Sequence, residues 1–162
     1  MRSCITAFMF LALSAPTNAA LLSSDPSQVC NHLSSIGLAT RGWKNQYDNE
    51  FGCSSPYKEL GAGARLANNL AYYVEGGPTT VNRAKLVINI NNKSSAAFAH
   101  KELLKVAETL SFKITGVELP KEIATAISNG TKASKVAGPA TIEVIRVDWP
   151  TGKGYEIKVL FK

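Results

Sequence analysis

Between Thr79 and Asn91 the chain alternates: Ala84, Leu86, Ile88 and Ile90 fall on one face, Arg83, Lys85, Asn89 and Asn91 on the other. A period of two predicts a strand with one buried side. Immediately after it, Ala96, Ala99, Leu103, Val106, Ala107, Leu110 and Ile114 recur at three and four, with Lys101, Lys105 and Glu108 opposite. That spacing predicts an amphipathic helix whose apolar stripe can cover the strand's apolar face. The last segment repeats the strand pattern, with Tyr155, Ile157, Val159 and Phe161 set against Glu156, Lys158 and Lys162. A turn at Pro150-Thr151-Gly152-Lys153 predicts that it pairs antiparallel with the run ending at Trp149.

Local stop and start signals fill in the remainder. Asp25-Pro26-Ser27-Gln28 reads as a capped helix start with Gln28 closing a capping box, continuing through Val29, Leu33 and Ile36 to Gly37. Leu119-Pro120 opens another helix with Ile123, Ala126 and Ile127 inward and Gly130 as its stop. Short strands are expected near Gly42 to Lys44 and Gly52 to Tyr57, and Thr131 to Pro139 reads as a polar loop. Leu70, Tyr72 and Val74 alternate up to Gly76-Gly77-Pro78, which predicts a hairpin with the Thr79 strand. The resulting fold class is α+β: a mostly antiparallel sheet of about five strands with helices packed on one face, a two-layer sandwich.

The N-terminus changes the picture of where the protein works. Arg2, an apolar core from Cys4 to Leu13 and small residues ending at Ala19-Ala20 form a cleavable secretory leader over residues 1–20. Its apolar run falls short of the ~20 residues that cross a bilayer, so no transmembrane segment is expected after cleavage. Residues 21–162 then form a single domain. Loss of Arg2 takes the formal charge from +6 to +5. The basic residues are scattered, with Lys132 and Lys135 the nearest to a cluster, so a nucleic-acid partner is not expected, while a protein or anionic envelope partner is. Cys30 and Cys53 remain as an even pair in an oxidising compartment and are expected to form a disulfide.

Catalytic and metal signals are poor. Ser55-Pro56-Tyr57-Lys58 matches S-x-x-K, yet the helper motifs are missing and Pro56 sits where the Ser-to-Lys helical turn would begin. His32 and His100 lie on different predicted helices with no third ligand nearby, and Asp48 and Glu50 flank a loop without an opposing acid. Gly61-Ala62-Gly63 lacks the strand and capped helix of a phosphate loop, and Asn92 and Asn129 read as capping and turn residues. No catalytic, metal or cofactor residue is assigned. The segment from Arg41 to Lys58 interleaves Trp43, Tyr47, Phe51 and Tyr57 with charges, a composition favoured at interface hot spots. Arg41, Trp43, Tyr57 and Lys58, with Arg83 and Lys85 of the polar strand face, are the candidate interface.

The blocks GLATRGWKNQYDNEFGCSSPYKEL, NNLAYYVEGG and DWPTGKGYEIKV resemble an uncharacterised family of small exported proteobacterial proteins. That resemblance implies an envelope location and a single domain, and attaches no activity. The expectation is a non-enzymatic periplasmic or secreted protein that binds another macromolecule, as immunity proteins and inhibitors do. The alternative is a small envelope hydrolase or ligand-binding protein with a pocket between helices and sheet.

Overall fold

The computed structural model describes residues 20–61 and 66–162. Apart from Ala20, the predicted leader lies outside the described residues, as does most of the Gly61-Ala62-Gly63 turn. The chain runs α1 (Pro26–Cys30), β1 (Lys44–Tyr47), β2 (Glu50–Ser54), β3 (Lys58–Leu60), β4 (Asn68–Gly76), β5 (Val81–Ile90), α2 (Ala96–Thr115), α3 (Lys121–Asn129), β6 (Ala133–Ala137), β7 (Ala140–Asp148) and β8 (Tyr155–Phe161). The strands form one antiparallel sheet in the order β1-β2-β4-β5-β8-β7-β6, with β3 also paired to β4. This is an α+β fold, as expected, but the sheet has eight strands, not about five. The segment 133–137, expected as loop, is β6, and the aromatic-rich segment folds into three short strands where two were expected.

Alternation in β4, β5, β7 and β8 sets the layers. Tyr72, Leu86, Val159 and Val144 lie side by side across four strands and are buried. One hydrogen bond from each helical region reaches this same face. Tyr72 Oη donates to Val29 O of α1 at 2.8 Å, Tyr155 Oη meets His100 Nε2 of α2 at 2.9 Å, and Arg146 Nη1 donates to Gly130 O after α3 at 3.2 Å. All three helices therefore cover one face and leave the other open. The α2 stripe is buried as its period requires, from Ala99 through Leu103, Val106, Ala107 and Leu110 to Ile114. Each fully buried Leu or Ile contributes about 1.5–3 kcal/mol relative to exposure, which offsets the ordering entropy of the helix and strands.

The caps follow the sequence with one change. Asp25 Oδ1 accepts from Ser27 N–H at 2.8 Å, but its own N–H donates to Ser23 Oγ; Gln28 does not complete the predicted box. Gly116 and Gly130 end α2 and α3 in the left-handed region at φ 75° and 63°, where a side chain would be strained. Asn92 Oδ1 accepts from Ser94 N–H at 3.1 Å, the capping role expected of it.

Candidate functional site

The open face is where the polar half of the β4–β5 alternation emerges. Tyr73 and Lys85 are direct cross-strand partners, and Lys85 Nζ sits 5.1 Å from the Tyr73 ring centroid, within cation–π range. Glu75, two residues along β4, receives hydrogen bonds from both Lys85 and Arg83. Tyr57, 61 % exposed, places its hydroxyl 3.5 Å from that of Tyr73. The result is a continuous row, Tyr57–Tyr73–Lys85–Glu75–Arg83, at the β2/β3 side of the sheet. Farther across the same face, Lys158 pairs with Glu156 at 2.9 Å and Lys162 with Glu143 at 2.6 Å. Ala71 and Val87 on this face are buried although none of the described helices lies over them, and Lys158 is the direct cross-strand neighbour of Val87.

The row's electrostatics follow from its partners. Burial acts first on the Tyr73 hydroxyl and pushes its pKa up; its hydrogen bond with Tyr57 and the nearby Glu156 and Glu75 carboxylates push it the same way. It is a neutral donor throughout the physiological range. For Glu75, burial alone raises the pKa, but the hydrogen bonds from Lys85 and Arg83 outweigh it and hold the carboxyl below its usual range.

The six candidate interface residues separate in space. Tyr57, Arg83 and Lys85 belong to the row. Arg41 is exposed at the sheet edge, where its backbone N–H donates to Ser54 O at 3.1 Å. Trp43 is half-buried against the core and its Nε1 donates to Pro78 O at 3.1 Å, tying the β1 segment to the β4–β5 turn. Lys58 lies on the opposite, helix-covered face, where Nζ donates to Ile36 O at 3.1 Å. The alternation of β4 sets Tyr73 and Glu75 on this same polar face, where Tyr73 is expected beside Arg83 and Lys85, but neither was among the six interface candidates. Cys30 and Cys53 are disulfide-bonded with Cα atoms 6.1 Å apart, which clamps β2 to α1 beneath this region.

The weak catalytic signals resolve into structural contacts. Ser55 Oγ donates to Pro56 O and accepts from Tyr72 N–H, while Lys58 is held by Ile36 O, so neither serves the other. His32 and His100 do not converge, and among the described residues no three His, Cys, Asp or Glu side chains group to hold a metal. His100 donates from Nδ1 to Ser128 O at 3.0 Å, which leaves Nε2 to accept from Tyr155 Oη. The Tyr155 ring in turn carries the Arg146 guanidinium 3.8 Å from its centroid, and Arg146 bonds Asp148 through Nε and Nη2. This network joins α2, α3, β7 and β8. The i, i+2 spacing of Arg146 and Asp148 was its one visible trace. Asp48 and Glu50 sit at the β1–β2 turn, where Gln46, Asn49, Glu50, Glu75, Asn82 and Arg83 line an open polar groove of about 420 Å³.

An open antiparallel sheet backed by three helices, with a disulfide-clamped edge and a polar aromatic row, defines the class of protein by architecture alone. Residues 14–146 match the model of a family of unknown function, DUF6030, and the chain belongs to that family. No curated protein and no solved structure matches it. Among the described residues no helix is long and apolar enough to cross a membrane.

Proposed function

We propose that this is a non-enzymatic exported protein, periplasmic or secreted, that binds another protein as an immunity protein or inhibitor does. The observation that carries the proposal is the Tyr57–Tyr73–Lys85–Glu75–Arg83 row on a sheet face that none of the described helices covers. Tyrosine and arginine side chains supply contact area and directional hydrogen bonds at low entropic cost, the composition of binding hot spots. The cross-strand ion pairs and the disulfide preorganise the row, so that less conformational entropy is lost on docking. The leader and the disulfide support an oxidising envelope compartment. The small-ligand alternative draws on the open groove at the β1–β2 turn, since the space between helices and sheet is filled by the core.

The test compares affinity capture from an envelope extract by the wild-type protein and by a Tyr57→Ala/Arg83→Ala/Lys85→Ala variant whose melting temperature is checked first. A specific protein retained by the first and lost at least tenfold by the second is expected. Equal retention by a folded triple variant removes this face as the binding surface.

A further inference from the structure

The two ends of the sheet are built differently. At one end β1 is four residues long, its register with β2 shifts between Asn45 and Tyr47, and its Asn45 and Gln46 side chains fold back on the backbone. Gln46 Nε2 donates to Lys44 O and Gly52 O, and Asn45 Nδ2 donates to Asp48 O. A bulge and self-satisfied carbonyls are the usual devices that stop an edge strand from pairing with another chain. At the other end β6 runs from Ala133 to Ala137 in unbroken register with β7, contains no proline, and its three central residues are exposed.

The direction of its free backbone groups can be worked out from β7. Thr141 both donates to and accepts from Lys162, at 2.6 and 3.0 Å, so its backbone faces β8. Its neighbours Ala140 and Ile142 then face β6, and their partners Ala137 and Lys135 face back. Ser134 and Val136 are left with N–H and C=O groups pointing away from the sheet, and among the described residues no hydrogen-bond partner meets them. Beside them on the open face stands the Val136 side chain, 70 % exposed. Lysine is the common guard of such an edge, but Lys135 is held at 3.0 Å by Glu122 of α3 on the helix-covered face. Lys121 at the start of α3 and Lys132 just before β6 are exposed and have no ion-pair partner among the described residues. Around this edge Glu122, Glu143 and Asp148 are already paired with Lys135, Lys162 and Arg146, which leaves Lys121 and Lys132 as a basic excess.

We propose that β6 is a docking edge for an extended acidic peptide segment of another polypeptide, which adds as a further strand against Ser134 and Val136. This site is separate from the Tyr57–Arg83 row and does not depend on it. The backbone groups supply pairing, Val136 supplies an apolar neighbour on the open face, and the lysines select carboxylates on the other side of the added strand.

The probe is a capped octapeptide alternating valine and glutamate, with a valine–lysine octapeptide as its counterpart, read by amide hydrogen exchange and by titration. Protection at Ser134 and Val136 is expected with the glutamate peptide and not with the lysine peptide. Val136→Pro removes only an outward-facing N–H and leaves the β6–β7 ladder intact, so it should abolish binding with an unchanged melting temperature. If that variant does not fold, Lys121→Glu/Lys132→Glu serves instead, and should lose the glutamate peptide at least tenfold while gaining the lysine peptide. Equal binding to both peptides, no protection on β6, or protection that rises with protein concentration alone, meaning that a second copy fills the edge, would each overturn the proposal. Retained peptide binding in the Tyr57→Ala/Arg83→Ala/Lys85→Ala variant separates this site from the row.

Discussion

Tyr72 shows how one side chain can hold two layers together. It has no exposed surface, its ring packs in the core of β4, and its hydroxyl reaches Val29 O across the sheet–helix boundary. Tyr72→Phe keeps the ring and removes this bond, leaving Val29 O with the His32 N–H at 3.2 Å alone, so it should lower unfolding free energy by about 0.5–1.5 kcal/mol in urea titration. His32 makes the opposite kind of contribution. Among the described residues its Nε2 is buried without a partner, and burial first, then the nearby Lys113 charge, lowers its pKa below the ordinary 6.5. A folded-state pKa below the unfolded one means that the unfolded chain takes up the proton first. Stability therefore falls as pH drops through the unfolded value and levels off once the folded-state value is passed. His32→Leu should flatten the urea midpoint between pH 7 and 5 relative to wild type, and an unchanged slope would show that other groups govern this range.

At the scale of elements, long segments were legible and short ones were not. β5, β8 and α2 each repeat their period often enough for the apolar face to be read residue by residue, and Ala84, Leu86, Ile88, Ile90, Ile157, Val159 and Phe161 are all buried. β6 escaped because its inward positions are the small Ala133 and Ala137 flanking Lys135, so an edge strand with a single layer above it looks polar. β1 is exposed at all four positions and carries no period at all. For the interface, residue type and strand parity located Arg83 and Lys85. The side on which Lys58 falls depends on β3 pairing with β4, a tertiary fact absent from local pattern. The β7–β8 hairpin was legible and places Val159 opposite Leu86 and Val144 at the centre of the sheet. Val159→Asp puts an unpaired carboxylate there, at a cost comparable to a small domain's whole stability. No soluble accumulation is expected, whereas a soluble variant with wild-type melting temperature would mean that this face is not the core.

For the whole molecule, the disulfide decides how the β1–β2 edge relates to the rest. α1 is only five residues long, and Cys30 near its end is joined to Cys53 in β2, closing a loop with a sequence separation of 23. Within that loop, Trp43 holds the β4–β5 turn and Arg41 holds Ser54, but β1 itself buries nothing. Restricting the unfolded chain in this way stabilises the fold by about 3 kcal/mol in the chain-entropy model. Cys30→Ser/Cys53→Ser should accordingly lower the melting temperature by roughly 10 °C. The local consequence is more telling than the global one. With the clamp gone, the amides of β1 and β2 should exchange by local opening well before those of β5 and β8, whose pairing does not involve it. If the proposed binding face is preorganised through this edge, partner affinity should fall in the double serine variant even at temperatures where it remains folded. A variant that exchanges uniformly faster, with no preference for β1 and β2, would show that the disulfide supports the domain as a whole and not the edge beside the Tyr57–Arg83 row.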